Sequence, residues 1–191
     1  MTFVERYVRA RKDVVAEVDR ALSSIDPEQV ERLRDEILRA KQVFFVGVGR
    51  VMLALQGVCK RMSHLGIDAH CVGDVTEPAM TDEDLLIVAS GSGRSLFPLG
   101  VAKRARAVAS RAVIAHIGSA TDSEMRDVVD FMVRIPVRTK AHLPDEIESC
   151  QPMTTIFDQC VLLLGDVLAK TIVEERGLDM DVLWCLHANL E

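Results

Sequence analysis

No apolar run in this 191-residue chain approaches the ~20 residues needed to span a bilayer, which excludes a transmembrane helix as the organising feature. The opening MTFVERYVRARKD carries charges with no apolar core behind them, so it does not read as a secretory signal. Excess positive charge is also missing. The formal net charge is −6, which argues against nucleic acid as the main partner, although the charge around a site is a local matter. The five cysteines, Cys59, Cys71, Cys150, Cys160 and Cys185, form no CxxC pair, and no histidine stands at zinc-ligand spacing to them. They read as reduced thiols of a cytoplasmic protein, with no metal and no cofactor. No GK[ST] follows a glycine-rich turn, so there is no Walker loop. Gly47-Val48-Gly49 begins like a dinucleotide fingerprint, but position 52 is methionine where a third glycine is required. Internal repeats and low-complexity segments are absent too.

What is present is a βα rhythm. Val4, Tyr7, Val8, Val14, Val15, Val18 and Leu22 recur at helical spacing. Asp26-Pro27 then reads as a cap and first turn for a second helix to about Ala40. Strands are predicted at Val43–Val46, Ala69–Val72, Leu85–Ala89, Ala112–Ile117 and Phe131–Ile135. Helices are predicted at about Val51–Leu65, closed by Gly66, after Ser95 to about Ala109, and near Ser123–Arg126. Residues 136–151 read as a loop, and about Met153–Arg176 as a long helix. Its Val161-Leu162-Leu163-Leu164 stretch is apolar almost all round, which points to a subunit interface. A last short helix precedes the C-terminus. Strands alternating with helices imply a parallel sheet covered on both faces, with ligands at the carboxyl ends of the strands. The expected organisation is one domain over 1–191: N-terminal helices in 1–40, a sheet core in 41–136 and interface helices in 152–191.

The strongest chemical signal is Ser90-Gly91-Ser92-Gly93-Arg94-Ser95, directly after the apolar run Leu85–Ala89. A polar turn is the simpler account, since serine and glycine are common in turns. Three hydroxyls and bare backbone N–H groups at a strand's carboxyl end, opening a helix, also suit an anion, above all a phosphate. Arg94 would add a charge or face solvent. Asp158, on the first turns of the long helix, is either a helix-start carboxylate or a general base. Glu77, in the Thr76-Glu77-Pro78 loop, is its rival. His187 and His64 are the two candidate proton shuttles.

Together with GVGR (Gly47–Arg50), MSHLG (Met62–Gly66), VGDVTEP (Val72–Pro78), QPM (Gln151–Met153), FDQ (Phe157–Gln159) and the terminal HANLE, this loop resembles the sugar isomerase (SIS) domain family. The resemblance covers nearly the whole chain. It implies a three-layer αβα sandwich with a five-stranded parallel sheet. It also implies a homotetramer, a dimer of dimers, with active sites between subunits. The implied activity is conversion of 3-hexulose 6-phosphate to fructose 6-phosphate through an enediol, a step of formaldehyde fixation by the ribulose monophosphate pathway. The sugar phosphate is then the partner, with neither nucleic acid nor membrane. By position, Ser90, Gly91, Ser92, Ser95, Gly49 and Arg50 would hold the phosphate. Asp158 stands where the family has a glutamate for proton transfer, and His187 would come from a neighbouring subunit. The chain departs from the family at Val51, where a serine is usual, at Thr154, where a glycine is usual, and at Asp158. The alternatives are isomerisation of another phosphosugar, or a regulator that binds a sugar phosphate without catalysis.

Overall fold

The computed structural model describes residues 1–140 and 142–190. Glu191, the last residue of the HANLE segment, lies outside them. The chain opens with α1 (Phe3–Ser23) and α2 (Pro27–Arg39). Thr2 caps α1 in a reciprocal box with Glu5, and Asp26 caps α2, accepting the Glu28 N–H ahead of the helix-starting proline. Five parallel strands follow: β1 (Val43–Val46), β2 (Ala69–Cys71), β3 (Leu85–Ala89), β4 (Val113–Gly118) and β5 (Phe131–Arg134). Between them run α3 (Arg50–His64), α4 (Leu96–Val108) and a 3₁₀ turn at Glu124–Asp127. The chain ends with α5 (Thr155–Arg176) and α6 (Met180–Trp184).

The strand order is β2-β1-β3-β4-β5. The chain leaves β1 to one side for β2 and returns on the other side as β3. The order therefore reverses between β1 and β3, and that crevice is where an open α/β sheet takes its ligand. Alternation along the strands feeds two cores. Val43, Phe45, Leu85, Ile87, Ala115, Ile117 and Val133 face α1, α2, α3 and α5. Phe44, Val46, Leu86, Val88 and Ile114 face α4 and the 3₁₀ turn. The second face is thinly covered. Phe44 and Leu86 border a groove of about 1030 Å³ whose outer wall includes Leu96 and Phe97, both exposed.

Several boundaries differ from the expectation: β4 runs one residue later, Val113–Gly118 rather than Ala112–Ile117, and β5 stops at Arg134 rather than Ile135. Strand β2 ends at Cys71 although the Val72 N–H still donates to the Phe45 carbonyl at 2.9 Å. Helix α3 takes in Arg50, because Gly49 makes the turn with φ +62°. The short helix is a 3₁₀ turn shifted to Glu124–Asp127. Helix α5 starts at Thr155 rather than Met153, since Met153 sits at φ +57°, a left-handed conformation that a helix cannot run through. Within α5, Leu162 and Leu163 are each 37% exposed, so the helix buries one side in this chain and leaves an apolar strip outside.

The 136–151 loop has firm ends. The Ile135 N–H donates to the Gly118 carbonyl at 2.8 Å. At the other end, Glu17 of α1 accepts from the Cys150 N–H, the Ser149 hydroxyl and the Gln151 side chain. Burial opposes ionisation of Glu17, but these hydrogen bonds outweigh it and bring its carboxyl down to about 2. All five cysteines are free thiols, and no described helix is long and apolar enough to cross a membrane.

Candidate active site

Strand β3 delivers Ser90 to the crevice at the switch point, and the chain turns there under tight constraint. The Ser90 N–H donates to the Ile117 carbonyl at 2.9 Å, and the Gly93 N–H closes the turn on the Ser90 carbonyl at 3.1 Å. Gly93 has φ +62°, and a Cβ there would meet Ser123 Oγ at 2.2 Å, so only glycine fits. Beneath the turn lies His116 of β4, buried, with Nε2 2.9 Å from the Ser90 carbonyl oxygen. Burial pushes its pKa down, only partly opposed by that hydrogen bond, so the ring is neutral and Nε2–H donates.

The turn borders a cavity of about 120 Å³. Ser90, Gly91, Ser92 and Ser95 line it, together with Val48, Val51, Thr139, Lys140, Thr154 and Phe157. The Ser90 and Ser95 hydroxyls lie 3.3 Å apart, bonded to each other. Ser95 is the N-cap residue of α4, yet its side chain caps nothing, so its oxygen stays on the cavity side. Three helices begin at this cavity: α3 through Val51, α4 through Ser95 and α5 through Thr154. None has a side-chain cap, and α3 and α4 have no acidic residue in the first turn. Each helix start carries roughly half a positive charge, so the cavity is a place for an anion.

Asp158 lies one residue beyond Phe157 on the first turn of α5, and its side chain is 7% exposed. Its Oδ2 accepts from Arg50 Nε at 2.9 Å. Burial raises the Asp158 pKa, and the Arg50 hydrogen bond and charge act against that rise. The result is a carboxylate shielded from water, with its pKa raised, and oriented by a guanidinium that is itself mostly exposed.

The other expected residues are distributed unevenly. Arg50 turns to Asp158, and Gly49 makes the bend between the lining residues Val48 and Val51. Arg94 points away and donates to the Asp122 carbonyl at 3.1 Å. Glu77 accepts the Gly73 N–H at 2.7 Å and borders the larger apolar groove, which meets the small cavity at Val48 and Ser95. His187 is not at this crevice in its own chain. Its ring stacks on His64 at 4.9 Å, and His64 ends the helix that Arg50 begins, roughly 20 Å away at 1.5 Å per residue. Thr154 lines the cavity, so the departure from glycine adds a hydroxyl, while Val51 contributes only methyl groups. Lys140 and Thr139 were not foreseen. They lie far along the chain from the serine loop, and no local pattern marks them.

No family model matches the chain. Among characterised proteins it is 30% identical over 179 residues to 3-hexulose-6-phosphate isomerase of Bacillus subtilis, covering 94% of this chain and 96% of that protein. It is 33% identical over 175 residues to the enzyme of the same name from Mycobacterium gastri, covering 92% and 86%. Among solved structures it superposes with a TM-score of 0.80 on a Methanococcus jannaschii protein, 28% identical over 96% of this chain and 99% of that one, for which 3-hexulose-6-phosphate isomerase function was inferred. With sequence likeness of that extent over a shared five-stranded parallel sheet, the chain belongs to the 3-hexulose-6-phosphate isomerase family.

Proposed function

We propose that this chain is a sugar-phosphate isomerase that interconverts 3-hexulose 6-phosphate and fructose 6-phosphate. The observation that carries the reading is the pairing of an anion cradle, Ser90–Ser95 with three uncapped helix starts, with a buried carboxylate, Asp158, that follows the lining residue Phe157 in the chain. The phosphate sits in the cavity on the serine hydroxyls and backbone N–H groups, and the sugar extends over the rim towards Asp158. Asp158, ionised, takes the proton from C2 of the 3-ketose. The electrons of that C–H bond form the C2–C3 double bond, and the C3 carbonyl becomes an enediol oxygen. Asp158 returns the proton at C3 while the O2 proton leaves, which gives the 2-ketose. His187 of a second copy carries protons between the two oxygens, since in its own chain it lies at the far end of α3. The exposed apolar strip on α5 and the exposed Leu96 and Phe97 support a homotetramer with sites between subunits.

The test is isomerisation in deuterium oxide followed by NMR. Turnover of 3-hexulose 6-phosphate with deuterium entering at the carbons next to the carbonyl supports the reading. Asp158→Asn lowers turnover by about 10²–10⁴-fold, the range of a lost general base. If Glu77→Gln has that effect and Asp158→Asn does not, the base is misassigned. Sugar-phosphate binding with no exchange at any enzyme concentration marks a regulator instead.

A further inference from the structure

The serine cradle supplies partial charges only. A phosphate monoester carries close to two negative charges at neutral pH, and both nearby arginines are engaged elsewhere, Arg94 on Asp122 and Arg50 on Asp158. Among the described residues bordering the cavity, one is a cation: Lys140. It follows Thr139 on the loop between β5 and α5, and that loop is pinned to the cradle by Glu146.

Glu146 is buried at 8% exposure. Its Oε1 accepts from the Ser119 hydroxyl at 2.9 Å and the Thr139 hydroxyl at 2.7 Å. Its Oε2 accepts from the Thr139 N–H at 3.2 Å and the Leu143 N–H at 3.0 Å. Ser119 in turn donates its N–H to the Gly91 carbonyl at 2.9 Å. A Cβ on Gly91 would lie 2.9 Å from Thr139 Cγ2, so the loop rests directly on the cradle's backbone. One carboxylate thus ties the strand that follows the cradle to the residue before Lys140. A buried carboxylate with four donors is a rigid joint, because losing any donor leaves charge unsatisfied.

We propose that Lys140 is the counter-charge for the substrate phosphate and that Glu146 is the residue that positions it. The assignment rests on the isomerase reading, since that reading puts a phosphate in the cavity. Glu146 itself touches no substrate and acts through Thr139.

Steady-state kinetics on Lys140→Met, Lys140→Arg, Glu146→Gln and the Lys140→Met/Glu146→Gln double variant test this, with calorimetric titration of inorganic phosphate. Lys140→Met raises KM about 10- to 100-fold, as for a lost hydrogen bond between charged groups, and raises it more than it lowers kcat. Lys140→Arg recovers most of that loss. Glu146→Gln also raises KM, and the double variant is no worse than Lys140→Met alone, since the carboxylate then has no lysine to place. A KM for Lys140→Met within about twofold of wild type overturns the lysine assignment. Full additivity in the double variant overturns the positioning role and leaves Glu146 as a fold residue. The phosphate titration separates this proposal from the isomerase reading. If wild type binds phosphate but catalyses no exchange, the isomerase reading fails. Lys140 is then upheld by loss of phosphate binding in Lys140→Met and overturned by its retention.

Discussion

At the scale of single residues, the proposed chemistry rests on one carboxylate under two opposed influences. Burial raises the Asp158 pKa and Arg50 holds it back. A base must be ionised to act, so activity falls as pH drops through a pKa above the ordinary aspartate value. Replacing Arg50 with methionine removes the opposing influence, and the Asp158 pKa then rises further. The acid limb of the kcat profile of Arg50→Met therefore lies at higher pH than that of wild type. An unmoved limb, or one at lower pH, would show that Arg50 does not tune the base. At this scale the sequence is only partly legible. The serines announce themselves by clustering, and Asp158 by its place at a helix start. The Arg50–Asp158 pair joins positions 108 apart, which no spacing rule predicts. Lys140 stayed hidden for the same reason: it reaches the cradle through a network of buried hydrogen bonds, not through a motif.

At the scale of elements, the turn between β3 and α4 is tightly constrained. Gly93→Ala would place a methyl group where Ser123 already sits, on a backbone that disfavours side chains. The expected cost is about 1–3 kcal/mol, a fall in melting temperature of about 2–10 °C, together with weakened phosphate binding. A variant that melts with wild type would mean that the turn adapts freely. The elements themselves were well marked in the chain. Leu85–Ala89 and Val43–Val46 are apolar runs of strand length, and both form strands over the predicted residues. Boundaries slipped where backbone conformation, not side-chain pattern, decides them, as at Met153 with its positive φ.

At the scale of the whole molecule, apolar side chains face outward on several elements, among them the strip of Leu162, Leu163 and Val167 on α5 and the groove walled by Leu96 and Phe97. The proposed tetramer covers such surfaces and brings His187 of one copy to the cradle of another. Leu163→Glu then lowers the mass measured by light scattering and reduces kcat with it. A monodisperse smaller species with full activity would count against shared sites. The parallel sheet covered on both faces follows from the alternating pattern, but the strand order and the partner of His187 do not, since one chain holds that residue at the opposite end of α3. The loop from Pro136 to Gln151 carries a different kind of consequence. Its ends are fastened, at Ile135 to Gly118 and at Ser149–Gln151 to Glu17, and no strand of the sheet passes through it. Its middle is fastened as well, through Glu146 to Ser119, so an insertion anywhere between the two anchors would loosen the wall of the cradle rather than merely lengthen a surface loop.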